Sequence, residues 1–366
     1  MMVGRRPATM TLLIAVLALP LWAQTPEGPL AEIRGKTELT EEDRTAVRQF
    51  VTERVDRVVS ASGEQAWQAA DQLRAAAQGS DAFRRFYVST CLEAIAPVVR
   101  KAELGPAAQL LTIVNTFETS DALPILLDAL RDDRVGVRAA AAVGLRGLRP
   151  KLAQAGRDTW QRAVDALKEA GKQERSRDTL KAIYQALNYA ELPSSPDPKA
   201  NSAALLELLE TRAAAYAGNN EVAALGADDT ALRVAQALLR SLDENERRRL
   251  TVVVATMMRH AIERYTAGGQ GRKLADVRDD APAALLAVRN GLERLIMVGE
   301  ELLTALLQAP KPPNVSDSMR KVDTTGMKNQ WREWGRLLQT AVGQEFALRE
   351  QPQPEPESDT KPLPKQ

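Results

Sequence analysis

Apolar residues recur at three- and four-residue spacing from Thr40 onward, with almost no period-two alternation. That rhythm predicts helix after helix rather than strands. Thr40, followed by Glu41, Glu42 and Asp43, marks a helix start, because acids in the first turn meet the positive end of the helix dipole. This helix is predicted to run to about Val59, with Val47, Val51, Val55 and Val58 on one face. A second is predicted over 63–77, carrying Trp67, Ala70, Leu73 and Ala77, and a third over 82–101, with Phe83, Tyr87, Cys91 and Ile95. Pro97 is expected to kink or shorten the third. A fourth begins after Gly105-Pro106, where proline suits a first turn. Further helices are predicted over 159–170, 175–189, 203–217 and 229–242.

The stretch 120–149 carries the most specific pattern. Leu123, Leu126, Leu127 and Leu130 form one apolar face, and Val137, Ala141, Leu145 and Leu148 form another. Together with Pro124, Ala129, Asp132, Arg138 and Ala142, these positions resemble a HEAT repeat. The resemblance implies a first helix ending near Asp132, a second opening at Val137-Arg138, and stacking of such pairs. Gly144 stands where that family usually has alanine, and glycine weakens a helix by about 1 kcal/mol. The neighbouring helix pairs read as degenerate copies. A repeat cannot bury its apolar faces alone, so stacking of neighbours follows. The expected fold class is all-α: a HEAT-like α-solenoid of antiparallel helix pairs with a non-repetitive helical C-terminal part.

The predicted boundaries are a signal peptide over 1–23, a linker over 24–39 and a HEAT-like array over 40–192. A Pro/Ser-rich linker over 193–202, a C-terminal helical region over 203–348 and a Pro/Glu-rich tail over 349–366 complete the chain, the tail expected to be disordered. The first segment has Arg5 and Arg6, the apolar run Thr11–Leu19, a break at Pro20, and Leu21-Trp22-Ala23 before Gln24. This is the three-part signature of a secretory signal peptide. The run is too short to span a bilayer, which takes about 20 apolar residues. Export to the periplasm or the cell exterior is the expected localisation, with no membrane span after cleavage.

Composition then narrows the function. Lys plus Arg total 49 against 48 for Asp plus Glu, so a strongly basic nucleic-acid binder is not expected. The single cysteine rules out an internal disulfide framework, and the single histidine rules out any site needing two imidazoles. Cys91 sits in an apolar helical run and reads as a buried small hydrophobe. His260 lies at the edge of an apolar face and reads as a surface or half-buried structural residue. The pairs Asp132-Asp133, Asp228-Asp229 and Asp279-Asp280 precede predicted helices and read as caps, and Glu300-Glu301 reads as a solvated face. The loop Gly268-Gly-Gln-Gly-Arg-Lys273 lacks the ending of a phosphate-binding loop and reads as a connection.

No catalytic, metal or cofactor site is assigned. The expected activity is that of a non-enzymatic scaffold binding a protein or peptide on a concave surface of successive second helices. Arg138, Arg146, Arg177 and Arg233 are the candidate partner-binding residues there. Two alternatives stand beside it. One is a carboxylate-based hydrolase or lyase on a helical scaffold. The other is a dimeric envelope protein, joined through the near-heptad Leu285, Val288, Leu292, Leu295, Leu302 and Leu306 of the 282–307 helix. That same row equally suits packing within one chain. If the leader is removed after Ala23, N-terminal sequencing of the exported protein will begin at Gln24; a sequence retaining Arg5 and Arg6 would mean an uncleaved anchor.

Overall fold

The computed structural model describes residues 30–192, 196–217, 226–267, 274–278 and 281–348. The signal segment, the 268–273 loop, Asp279-Asp280 and the 349–366 tail lie outside the described residues. The helices are α1 Glu41–Ser60, α2 Glu64–Ala75, α3 Asp81–Val99, α4 Leu104–Thr116 and α5 Leu123–Ala129. They continue with α6 Val135–Gln154, α7 Arg157–Gln173, α8 Arg177–Ala186, α9 Pro198–Ala217 and α10 Asp228–Leu238. The last four are α11 Glu244–Ala267, α12 Ala283–Leu307, α13 Val315–Arg320 and α14 Thr324–Val342. No strand occurs among the described residues.

Local chemistry sets the starts. Thr40 and Asp43 form a reciprocal capping box at α1. Ser80, Ser176 and Asp323 cap α3, α8 and α14 through side-chain oxygens. Proline stands at the first position of α9, where its missing N–H costs nothing. Pro97 falls near the end of α3, which continues only to Val99. The second helix of the 120–149 motif opens at Val135, two residues before the Val137-Arg138 pair.

Contacts then define two layers. The first helix of each pair packs on the next first helix, in the order α1, α3, α5, α7, α9, α11. The second helices stack likewise as α2, α4, α6, α8, α10, α12. Each pair also packs internally, from α1 on α2 through α11 on α12. This is an α-solenoid of helix pairs, and its core is the continuous apolar seam between the layers. The 193–202 segment is therefore not a domain boundary. Residues 198–202 belong to α9, which packs on both α7 and α11, while α8 packs on α10 across the same point. The 24–39 linker also changes character. Leu30 and Ile33 are buried, and the Arg34 carbonyl accepts the Ser80 N–H at 2.8 Å.

The near-heptad row of α12 is spent inside the chain. Leu292, Leu295 and Leu302 are buried, and α12 packs on α10, α11 and α13. At Gly299 a Cβ would fall 2.6 Å from Met258 Cγ, so the glycine marks close approach to α11 rather than an interruption. Cys91 is fully buried as expected, and burial pushes its thiol up to about 12.

Two acids depart from their expected roles. Asp228 opens α10 but acts as a buried junction. Its carboxylate accepts Tyr184 Oη at 2.8 Å and Tyr216 Oη at 2.7 Å. Arg212 donates to both of its oxygens at 3.1 and 2.8 Å. Pairing and hydrogen bonding make a charge at that depth tolerable. Glu300 is buried rather than solvated, whereas Glu301 is exposed. It accepts Val315 N at 2.6 Å, Ser316 N at 3.0 Å and Trp334 Nε1 at 3.2 Å. One side chain thus anchors α13 and α14, which close the end of the stack against α11 and α12. Replacing Glu300 by Ala leaves three buried donors without an acceptor and should cost about 3 kcal/mol, whereas Glu301→Ala should change stability by under about 0.5 kcal/mol. Chemical denaturation of the two variants checks this; equal stabilities would show that Glu300 anchors nothing.

Candidate functional site: a docking face on the second helices

The two layers present different surfaces. On the first-helix side, opposite charges bridge successive repeats. Arg100 pairs with Asp128 between the end of α3 and α5. Lys168 and Lys172 reach Glu207 between α7 and α9, at 3.2 and 3.4 Å. Arg249 pairs with Glu210 at 2.8 Å between α11 and α9. These ion pairs tie neighbouring first helices together.

The second-helix side exposes large apolar side chains on α2, α4 and α6, with Glu64, Gln68 and Asp71 of α2 exposed beside the first of them. Trp67 is 60% exposed, Leu104 48%, Val135 47% and Val143 53%. Scattered exposed apolar residues are ordinary, but a contiguous row on one face marks an interaction site. The helices that carry these side chains pack on one another. A Cβ on Gly136 would fall 2.8 Å from Leu104 Cδ1, so α4 and α6 touch there, and Gln109 Nε2 donates to Ala66 O at 3.3 Å beside Trp67. Ala108, Ala139 and Ala140 are half-buried on the same helices and keep the surface low. The helix wheel explains the placement. Val137, Ala141, Leu145 and Leu148 turn one side of α6 into the core, which leaves Val135 and Val143 on the other.

The four sequence-selected arginines separate. Arg146 is exposed on α6 and donates to Gln185 Oε1 at 2.8 Å. Arg233 is exposed on α10. Arg177 is half-buried at the start of α8, with Nε fully enclosed and lacking an acceptor. These three lie on the second-helix layer. Arg138 is on α6 as well, but its side chain turns to the connection between α7 and α8. Its Nε and one terminal nitrogen donate to Glu174 at 2.7 and 3.0 Å. Its other terminal nitrogen satisfies the carbonyls of Asp132 and Asp133 at 2.8 and 2.9 Å. It is a fastener between α6 and the α7–α8 connection, not a group offered to a partner. Burial raises the Glu174 carboxyl, but Arg138 and the N–H groups of Ser176 and Arg175 outweigh it and hold the group below its ordinary range.

A second depression lies on the first-helix side. Because α5 has 7 residues between α3 with 19 and α7 with 17, it leaves an open space of about 1020 Å³. Leu127, Leu130, Ala166 and Ala170 contribute its apolar lining, and Arg138 and Glu174 sit at its edge. Four of its acids are paired, and Asp133 is exposed. Asp128 pairs with Arg100, Asp132 with Arg134, Glu174 with Arg138 and Asp165 with Lys168.

The groups with chemical potential are enclosed. His260 is buried and meets the Tyr216 ring edge-on at 5.2 Å, contrary to a surface placement. The neighbouring Asp228, Arg212 and Tyr184 are 1%, 5% and 0% exposed, which seals this polar cluster from solvent. Among the described residues, no group of three or more His, Cys, Asp or Glu side chains is placed to hold a metal. No described helix is long and apolar enough to cross a membrane.

No protein-family model matches the chain, and no curated protein matches it in sequence. Solved structures do. An engineered protein from the Northeast Structural Genomics Consortium is 15% identical, with 69% of this chain and 97% of that chain covered and a TM-score of 0.34. Kap121p, solved bound to Pho4p, is 13% identical over 86% of this chain and 33% of its own, with a TM-score of 0.41. A second engineered protein from the same consortium is 16% identical over 86% and 90%, with a TM-score of 0.30. At such scores the fold stands on the helix contacts themselves.

Replacing Arg138 by Leu isolates a buried carboxylate and should cost about 2 kcal/mol at neutral pH. Because the folded-state carboxyl titrates below the unfolded one, its contribution is present above the unfolded value and is lost as pH falls through the folded one. The stability gap between wild type and Arg138→Leu should therefore close in acid. Urea titrations across the acid range measure it, and a gap constant with pH would contradict the pairing.

Proposed function

We propose that this protein is an exported HEAT-like scaffold that docks a protein or peptide partner on its second-helix face and has no catalysis of its own. The observation that carries this reading is the row of exposed apolar side chains at Trp67, Leu104, Val135 and Val143, on the face opposite the paired charges. Burying such side chains against a partner is worth roughly 25 cal/mol per Å² of apolar area before the costs of association. The stacked pairs supply a rigid support, since each helix is held by neighbours within its layer and across it. Export is inferred from Arg5, Arg6, the Thr11–Leu19 run and Ala23, which places the work in the periplasm or outside the cell. Support for a non-catalytic role comes from His260, Asp228 and Cys91, each built into packing rather than into an open cleft.

Val143 is exposed, so Val143→Asp should leave the helical circular dichroism and the unfolding midpoint nearly unchanged while placing a charge in the row. In-cell crosslinking of the tagged protein, read by mass spectrometry, should then show a partner held by wild type and reduced about tenfold or more by Val143→Asp. A partner retained equally by both forms would move the docking site off this face. The absence of any partner above background would contradict the scaffold reading.

A further inference from the structure

The second-helix face changes character along the stack. Over α4 and the first half of α6 its large exposed side chains are Leu104, Val135 and Val143. From the end of α6 to α10 its outward side chains become basic. Arg146, Lys181, Arg233 and Arg240 stand there, with Asp178 as the exposed acid on α8. Arg146 is bonded to a neutral amide, and Arg177 beside them keeps a buried Nε without an acceptor. Lys181, Arg233 and Arg240 form no ion pair with a described carboxylate. On the first-helix layer Arg100, Lys168 and Arg249 meet Asp128, Glu207 and Glu210, while Arg57, Arg84 and Arg162 stand exposed on separate helices. Cations gathered on one surface without counter-charges create a positive field that a complementary ligand relieves.

Resting on the docking reading, we propose that the occupant of this face is a protein segment with an apolar part followed along its length by an acidic part. The apolar part seats on Leu104, Val135 and Val143. The acidic part places Asp or Glu side chains against Arg146, Arg233 and Arg240, which are exposed. Guanidinium groups favour this, because each presents paired N–H donors matched to a carboxylate. Helices packed roughly 8–10 Å apart put α2 and α10 about 35 Å apart along the stack, a span of about 11 extended residues. An anionic membrane would also attract apolar and basic groups. Such a surface calls for basic side chains interleaved with the apolar anchors, whereas here the two kinds occupy successive stretches of the stack.

A randomised peptide library of about 12 residues, displayed on phage and selected on the purified exported chain, tests the assignment. The selected sequences should join an apolar run to at least about two acidic residues. Their affinity should fall about tenfold or more in a variant combining Arg146→Glu, Arg233→Glu and Arg240→Glu, fall again with rising salt, and be lost in Val143→Asp. Selection of basic or uncharged sequences would overturn the proposal, as would binding indifferent to the triple reversal. Loss in Val143→Asp without loss in the triple reversal would overturn only this inference and leave the docking face standing. Sequences insensitive to both changes, or no enrichment, would overturn the docking reading as well. Sedimentation with phosphatidylglycerol vesicles is run in parallel; cosedimentation abolished by the triple reversal, in the absence of acidic peptides, would assign the face to a membrane instead.

Discussion

A helix pair in this chain cannot bury its own apolar surface, and the rest of the structure depends on that deficit. Each helix carries a stripe too wide for one partner, so it packs within its pair and on the next helix of its own layer. The energy is distributed over neighbouring interfaces, so most residues serve nearest neighbours only. The ends then need different treatment. At the start, the turn containing Leu30 and Ile33 closes the apolar edge. At the far end, α13 and α14 do so, held by a glutamate inside α12 that takes three donors at once.

Polar chemistry is used to fix register between repeats. Trp160 Nε1 donates to Asn201 Oδ1 at 3.0 Å between α7 and α9, and Arg138 ties α6 to the following connection. Asp228 joins α8, α9 and α10 through two tyrosines and an arginine. In a stack held mainly by apolar contact, such directional bonds penalise sliding one pair past another, because a shift would strand buried donors and acceptors. The division of labour between faces follows. One layer bridges repeats with ion pairs, and the other exposes large apolar side chains at Leu104, Val135 and Val143 and basic ones at Arg146, Arg233 and Arg240.

Much of this was legible in the residues, and what was not has a physical reason. Helix order follows from the apolar spacing, and 120–149 announces the repeat because both helices keep clean stripes. Glu300 lies in register with Ile296 and Leu303 on the buried side of α12, a signal that its pairing with Glu301 obscured. Asp228 had no local signal, since its partners are 12, 16 and 44 residues away in sequence. The Pro/Ser stretch at 193–196 looks like a boundary in sequence, yet contacts within both layers cross it, α7 on α9 and α8 on α10, and composition says nothing of what a connection spans. The candidate face on the second helices was half legible. Arg146, Arg177 and Arg233 were placed on the second helices by pattern, but Val135 and Val143 stand out only once the core side of α6 is fixed. Arg138 stands at the arginine position of the HEAT-like motif, and its partner Glu174 lies 36 residues on, beyond the reach of local pattern.

The central claim is that one uninterrupted two-layer stack runs from α1 to α12. Native-state hydrogen exchange in sub-denaturing urea addresses it most directly, by comparing amides in α7 and α8 with those in α9 and α10. A continuous stack predicts that the core amides on both sides of 193–202 open with similar free energies and lose protection together as urea rises. A break there would appear as two sets of amides with separate opening free energies and separate urea dependences, and that result would contradict the account.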